Sequence, residues 1–263
     1  MPEIAGPVAF RASGFVPRAS PAAAVGTLVG LVALWQAGAS AGLISTQFLP
    51  PPVAIGRALW ALTRSGELWL HLGASLQRLL IGWSMGTVAG VAVGFLVGLA
   101  TWARSPGMAV VSALFPIPKI ALVPLFIIWF GIGEGSKLAT LGLGVFFPTV
   151  ISTAAGVDAV PRGLVRMGQA FGLRRWTIIR RIVLPGALPS ILAGFRVTTS
   201  IAIILLVAAE MIGAERGIGA FVLQAGNLYD TDNLLAGIVV LSLLGLLVAW
   251  GMGMLERLLL RWR

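Results

Sequence analysis

Hydrophobic residues in this chain come in long blocks, and the charged residues collect in the gaps between them. The windows Ala19 to Gly56, Leu79 to Ala103, Leu138 to Val157 and Asn233 to Leu255 hold no charge. Ser105 to Gly133 holds only Lys119, and Pro189 to Ala209 only Arg196. A helix that crosses a hydrocarbon core about 30 Å thick needs roughly 20 residues at a rise of about 1.5 Å each. The pattern therefore predicts an all-α integral membrane protein with six transmembrane helices, at about 25–43, 76–101, 107–131, 138–157, 190–210 and 234–256. Between the first two, Phe48-Leu-Pro-Pro-Pro52 reads as an extended stop. Val53 to Leu70 reads as an amphipathic interfacial helix, with Trp60 and Trp69 as interface anchors.

Composition agrees. The chain is 58% hydrophobic and 11% charged, against about 25% charged in soluble domains. Its 263 residues contain no Cys, which excludes disulfides, thiol catalysis and cysteine metal sites. The single histidine, His71, has no partners at metal-ligand spacing and is expected to be solvated or capping. No catalytic residues and no metal site are expected.

The net charge of +10 would suggest nucleic acid in a soluble protein, but here its placement gives a topology. Arg11 and Arg18 precede the first span, Arg104 separates the second and third, and Arg257, Arg261 and Arg263 follow the sixth. Six of nineteen basic residues lie between Pro161 and Ile182, after the fourth span. All these segments fall on one side when both termini are cytoplasmic, and the remaining loops are close to neutral. Residues 1–24 then form a cytoplasmic N-terminal segment and 25–263 a transmembrane domain with a cytoplasmic loop at 158–189. A cleaved signal peptide is the alternative for the N-terminus, but the apolar run after Arg18 exceeds the h-region of about 7–15 residues.

Two spans carry special chemistry. Gly82, Gly86, Gly90, Gly94 and Gly98 recur every four residues and give one face of the second span a ridge without side chains. The ridge fits close helix packing, either within the subunit or at a seam between subunits. The third span carries Pro116, Pro118 and Pro124, which break backbone hydrogen bonding. Broken backbone at membrane depth belongs where protein or a water-filled cavity surrounds it. Pro118, Lys119, Pro124 and Trp129 are therefore candidates for a translocation pathway or gate, with Lys119 alternatively snorkelling to the interface. Glu210, near the end of the fifth span, is a candidate for the gate or for the surface that meets a partner.

The basic loop reads as helix, glycine, helix. Pro161 suits a first turn, and Leu164, Met167, Ala170 and Phe171 share an apolar face. Gly172 can end that helix in the left-handed conformation. A second helix from Trp176 to Val183 is expected to stop at Leu184-Pro185.

From Gly172 to Pro185 the chain has the form G-x9-I-x-L-P, and here it resembles the transmembrane subunit of type I ABC importers. Further motifs are similar to those of the nitrate/sulfonate/taurine-type permeases. They are Phe48-Leu-Pro-Pro-Pro52, Ser75-Leu-Gln-Arg78 with Gly82, Pro124-Leu-Phe-Ile-Ile-Trp-Phe-Gly-Ile-Gly133, and Ala209-Glu-Met-Ile-Gly213 followed by Gly217-Ile-Gly219. The resemblance covers about residues 48 to 225 in order.

It implies an inner-membrane permease that pairs with a second copy and takes substrate from an extracytoplasmic binding protein. Two cytosolic ATPase subunits would hold the ATP and Mg. The coupling residues it implies are Arg166, Met167, Gly168, Ala170, Gly172, Trp176, Ile182, Leu184 and Pro185. Its branch implies a small anionic or zwitterionic solute such as a sulfonate, taurine, nitrate or a related organic acid. Arg166-Met167-Gly168 stands where the family's loop begins Glu-Ala-Ala, so the acidic contact to the ATPase is missing or reversed. The absence of a G-x4-G-K-[ST] phosphate loop fits a non-catalytic subunit. The alternative, a stand-alone secondary transporter or channel, needs acidic residues within the core of a span to couple ions, and none is found there.

Overall fold

The computed structural model describes residues 21–261, and the described residues form two compact units that divide after Ala54. Arg11, Arg18 and Arg263, which enter the topology argument, lie outside the described residues. In the first unit, α1 spans Pro21–Ser40, long enough to cross a bilayer core. The chain then turns through Gly42 (φ 71°), and Gln36 Oε1 accepts from the Val53 amide at 3.2 Å.

The second helix, α2 (Pro52–Ser65), ends at Gly66, whose φ of 84° breaks the helical run before α3 (Glu67–Leu99). The expected interfacial helix therefore stops five residues early, and Trp69 belongs to α3. Trp60 and Trp69 are both exposed. The third span is two helices, α4 (Thr101–Leu114) and α5 (Val123–Phe130), with a 3-10 turn at Lys119–Leu122. The two halves meet at 84°, so this segment is a broken span or a re-entrant loop, not one bent helix. The cause is local: Pro116 and Pro118 have no N–H to carry the α4 ladder onward.

Helix α6 (Glu134–Asp158) follows, and α7 (Arg162–Ala170) opens the basic loop. The second loop helix, α8 (Arg175–Ile178), does not stop at Leu184-Pro185 as the sequence suggested. It runs through one π turn at Ile179–Val183 into α9 (Leu184–Gly213). Pro185 has no N–H, and its ring would press on the Arg181 carbonyl in a regular helix. The wider π turn absorbs that misfit and keeps the helix continuous. Helix α10 (Ile218–Asn227) is short, and α11 (Thr231–Leu259) is capped by Asp230, which accepts from the Asn233 amide at 3.2 Å. Among the described residues five helices are long and apolar enough to span, six when the α4–α5 pair counts as one span.

The core lies where α3, α6 and α9 meet. Leu79, Leu141, Val145, Ala202, Leu206 and Ala209 are buried together there. The glycine ridge makes this packing possible. A Cβ on Gly82 would come 2.7 Å from Leu141, on Gly90 2.7 Å from Thr149, on Gly94 2.5 Å from Thr153 and on Gly98 2.9 Å from Val157. Gly86 is closest, facing the backbone carbonyl of Gly142 at 2.3 Å from such an atom. The ridge thus lies against α6 of the same chain. Large apolar side chains such as Leu80, Val88, Val197, Ile204 and Leu246 remain exposed on the outside, as a lipid-facing surface requires.

Candidate functional site

The two ends of the bundle carry different machinery. At one end the basic loop forms a compact knob. Gly172 has φ 69°, its amide reaches Gln169 O at 2.9 Å, and the Leu173 amide reaches Gly168 O at 3.0 Å. Those two bonds form a Schellman cap, which returns the chain sharply after α7. Gly168 is buried because its small size lets α7 rest on Ile178 and Ile182 of the following helix. Val160, Ile178 and Val183 pack with Phe95, Leu99 and Val157, which fixes the knob to the ends of α3 and α6. Its outward face stays apolar: Leu164, Met167, Phe171 and Trp176 are all exposed. Arg166 is also exposed, but on another face of α7. Ile182, Leu184 and Pro185 belong to the π turn and the start of α9.

The pathway candidates divide. Pro118, Lys119, Pro124 and Trp129 gather around the α4–α5 bend. Lys119 folds back onto α4, where its Nζ donates to the carbonyls of Leu114 at 3.1 Å and Phe115 at 2.5 Å. It also stands 5.1 Å from the centre of the Phe147 ring. The ammonium therefore supplies donors to carbonyls that lost their helical partners at the break. Beside it, an open apolar groove of 560 Å³ is lined by Phe126, Trp129 and Phe130 together with α3 and α6 residues that include Gly86 and Gly142.

Glu210 is elsewhere, in a buried polar network that sequence reasoning did not assemble. Its carboxylate accepts from Arg78 Nη1 at 2.8 Å, Ser75 Oγ at 2.8 Å and the Gly219 amide at 2.9 Å. Arg78 turns its other edge to Glu134, with Nε and Nη2 donating at 2.6 and 2.7 Å. Ser75 Oγ accepts from the Ile218 amide at 2.8 Å. His71 is nearly buried rather than solvated, and its Nδ1 meets the Gly217 backbone. Together these groups satisfy the first amides of α10, where a carboxylate is favoured by the helix dipole. Gly217 has φ 136°, and a Cβ there would come 2.4 Å from Glu210 Oε1. The network ties α3, α6, α9 and α10 at the end opposite the basic loop. The signal was present in the sequence: Ser75-Leu-Gln-Arg78 and Ala209-Glu-Met-Ile-Gly213 were both singled out. Their contact across 132 residues was not visible.

The described residues contain no group of three or more His, Asp or Glu side chains able to hold a metal. They offer helices long and apolar enough to span a membrane, a projecting knob and an anchored bundle end. Comparison with known proteins agrees. The putative aliphatic sulfonates transport permease protein SsuC of Escherichia coli K12 is 41% identical over 234 residues, 89% of each chain. The taurine transport system permease protein TauC of the same organism is 37% identical over 243 residues, covering 90% of this chain and 88% of that one. Among solved structures, a chain of the inward-facing MetNI methionine ABC transporter shares the fold. Its TM-score is 0.64 at 23% identity, over 74% of this chain and 98% of that one. The chain is thus an ABC importer permease, a multi-pass inner-membrane subunit and not an enzyme. Residues 86–261 match the family model described as "Binding-protein-dependent transport system inner membrane component", and the chain belongs to that family.

Proposed function

We propose that two copies of this chain form the pathway of an importer for a small sulfonate or a similar anionic or zwitterionic solute. A binding protein delivers the solute, and two cytosolic ATPase subunits, which hold the ATP and Mg, drive the cycle. Segment 158–189 is the coupling element. The observation that carries this reading is the exposed apolar face of Leu164, Met167, Phe171 and Trp176 on a knob that is itself anchored. Large apolar groups held in that way outside the spans mark a protein contact. The charge distribution supports placing the knob and both termini in the cytoplasm, because Arg104, Arg174, Arg175, Arg257 and Arg261 share its end of the bundle.

The 84° bend with Pro118, Lys119, Pro124 and Trp129 would face the pathway, and Glu210 would hold the opposite end together. Sulfonate is favoured because two of the curated relatives above are named for aliphatic sulfonates and taurine. Another relative, 32% identical over 236 residues, is the riboflavin transport system permease protein RibX of Chloroflexus aurantiacus. It belongs in the same screen.

Affinity purification of the chain from its native membrane tests the coupling. We expect an ATPase subunit to copurify with the native protein and to be lost with Phe171→Asp or Gly172→Pro. A folded protein that brings down no ATPase in either form defeats the reading. The companion binding protein is then titrated with taurine, longer alkanesulfonates and riboflavin.

A further inference from the structure

The face of the coupling helix opposite its exposed apolar side chains turns inward, where Val165 packs on Val160, Ile178 and Val183. On a helix of 3.6 residues per turn, Arg162, Val165, Arg166 and Gln169 of α7 share a face. Leu164, Met167 and Phe171 lie nearly opposite. The arginine face looks back toward the spans and closes a cavity of 790 Å³. Gly98 and Leu99 from the end of α3, Arg104 of α4, Val157 and Asp158 of α6, and Val160 line it with Arg162, Val165, Arg166 and Val183.

The charges in this cavity do not balance. Asp158 is occupied by Arg104, which grips both carboxylate oxygens at 2.7 and 2.6 Å. Arg162 and Arg166 make no direct salt bridge or hydrogen bond among the described residues, and Arg162 reaches Asp158 only through its field. Three guanidinium groups against one carboxylate leave two positive charges on a cavity whose floor is Leu99, Val157, Val160 and Val183. Its depth is also defined. Four helices end or begin there, α3, α4, α6 and α7, and Trp102 stands exposed two residues before Arg104, as aromatic anchors do at a headgroup layer.

We propose that this cavity is a binding site for a phosphate-bearing anion. Planar guanidinium forks suit phosphate oxygens. An apolar floor at the membrane surface favours the headgroup of an anionic phospholipid as the source, in the manner of basic pockets between transmembrane helices. The bound phosphate neutralises the surplus charge and braces the coupling helix against the ends of α3 and α6. The face opposite remains free for the ATPase, and of the expected coupling residues only Arg166 enters the site.

The test uses the whole purified transporter in nanodiscs of phosphatidylcholine with a minor share of phosphatidylglycerol, and native mass spectrometry of the lipid retained. Arg162→Gln with Arg166→Gln is expected to lower retained phosphatidylglycerol about tenfold, whereas Arg257→Gln with Arg261→Gln leaves it unchanged. Asp158→Asn adds a net positive charge and is expected to raise retention. Titration with inorganic phosphate separates the sources. Displacement of the lipid at millimolar phosphate supports a free anion as the natural occupant, and resistance supports the lipid. Equal losses in both arginine pairs would mean general surface attraction and overturn the site. Loss of the copurifying ATPase in the first pair, with lipid retention unchanged, would assign the arginines to that partner and overturn it as well.

Discussion

Arg78 and Glu210 meet at 2.8 Å with side chains 7% and 0% exposed, although 132 residues separate them in the chain. Both side chains are buried, and Arg78 also reaches outward to the exposed Glu134. Removing Arg78 strips the buried Glu210 carboxylate of its counter-charge, at a cost of about 3–5 kcal/mol. Removing Glu210 leaves Arg78 its Glu134 partner but leaves the Ser75 hydroxyl and the Gly219 amide without their charged acceptor. Glu210→Gln and Arg78→Met are therefore expected to lower thermal stability in detergent sharply and to reduce the amount of protein in the membrane. Unchanged unfolding temperatures in both would show that the pair contributes nothing to the fold.

Glu134 is the other partner of Arg78, and its side chain is 59% exposed. A half-exposed ion pair contributes little after solvent screening, about 1 kcal/mol or less. Glu134→Gln is thus expected to have a much smaller effect than Glu210→Gln. The two carboxylates share one arginine, but only Glu210 is buried and also holds Ser75 and the Gly219 amide, so the contrast measures the buried network against the exposed pair. Comparable losses in the two variants would contradict it.

The glycine ridge makes a sharper geometric prediction. An added Cβ at Gly86 meets the Gly142 carbonyl, which is backbone and cannot rotate away. Gly86→Ala must then push α3 from α6, with an overpacking cost of about 1–3 kcal/mol. Gly245→Ala meets nothing within 4 Å and is expected to be neutral or mildly stabilising. Expression level and melting temperature of the two variants, measured side by side, check the claim.

These cases show what was legible in the sequence. Membrane class and all six apolar segments came from composition and block length, because the hydrocarbon core sets a length that a sequence can be counted against. The left-handed Gly172 followed from the helix–glycine–helix pattern. Three things did not follow. The two carboxylates of Arg78 come from different helices, and one sequence does not reveal pairing between distant segments. The continuity through Leu184-Pro185 depended on a π turn, which proline alone does not announce. Pro116 and Pro118 announce a break, but its angle of 84° cannot be counted from their positions.

Lys119 presents a choice between structure and transport. Its ammonium donates to the carbonyls of Leu114 and Phe115 at the break, and hydrogen bonds from a charged group contribute about 1.5–3 kcal/mol. Lys119→Met is expected to lower stability by roughly that amount, and Lys119→Arg to restore most of it. A variant as stable as the parent, with a raised KM for uptake in proteoliposomes, would instead make Lys119 a charge that attracts the solute.

Gly172 separates coupling from folding. Its φ of 69° suits glycine, and a Cβ there would meet no neighbouring atom. Gly172→Ala therefore carries only the backbone penalty of about 1 kcal/mol, and Gly172→Asn less, since asparagine adopts this conformation more readily. Proline, restricted to negative φ, cannot make the turn at all. ATPase-driven uptake is expected to fall in the order Gly, Asn, Ala, Pro, while the melting temperature of the transmembrane bundle stays within a few degrees across the series. The spans are held by α3, α6 and α9, not by this turn, so uptake and stability should part company here. If they instead decline together, the knob is integral to the bundle's stability and the substitutions do not isolate coupling.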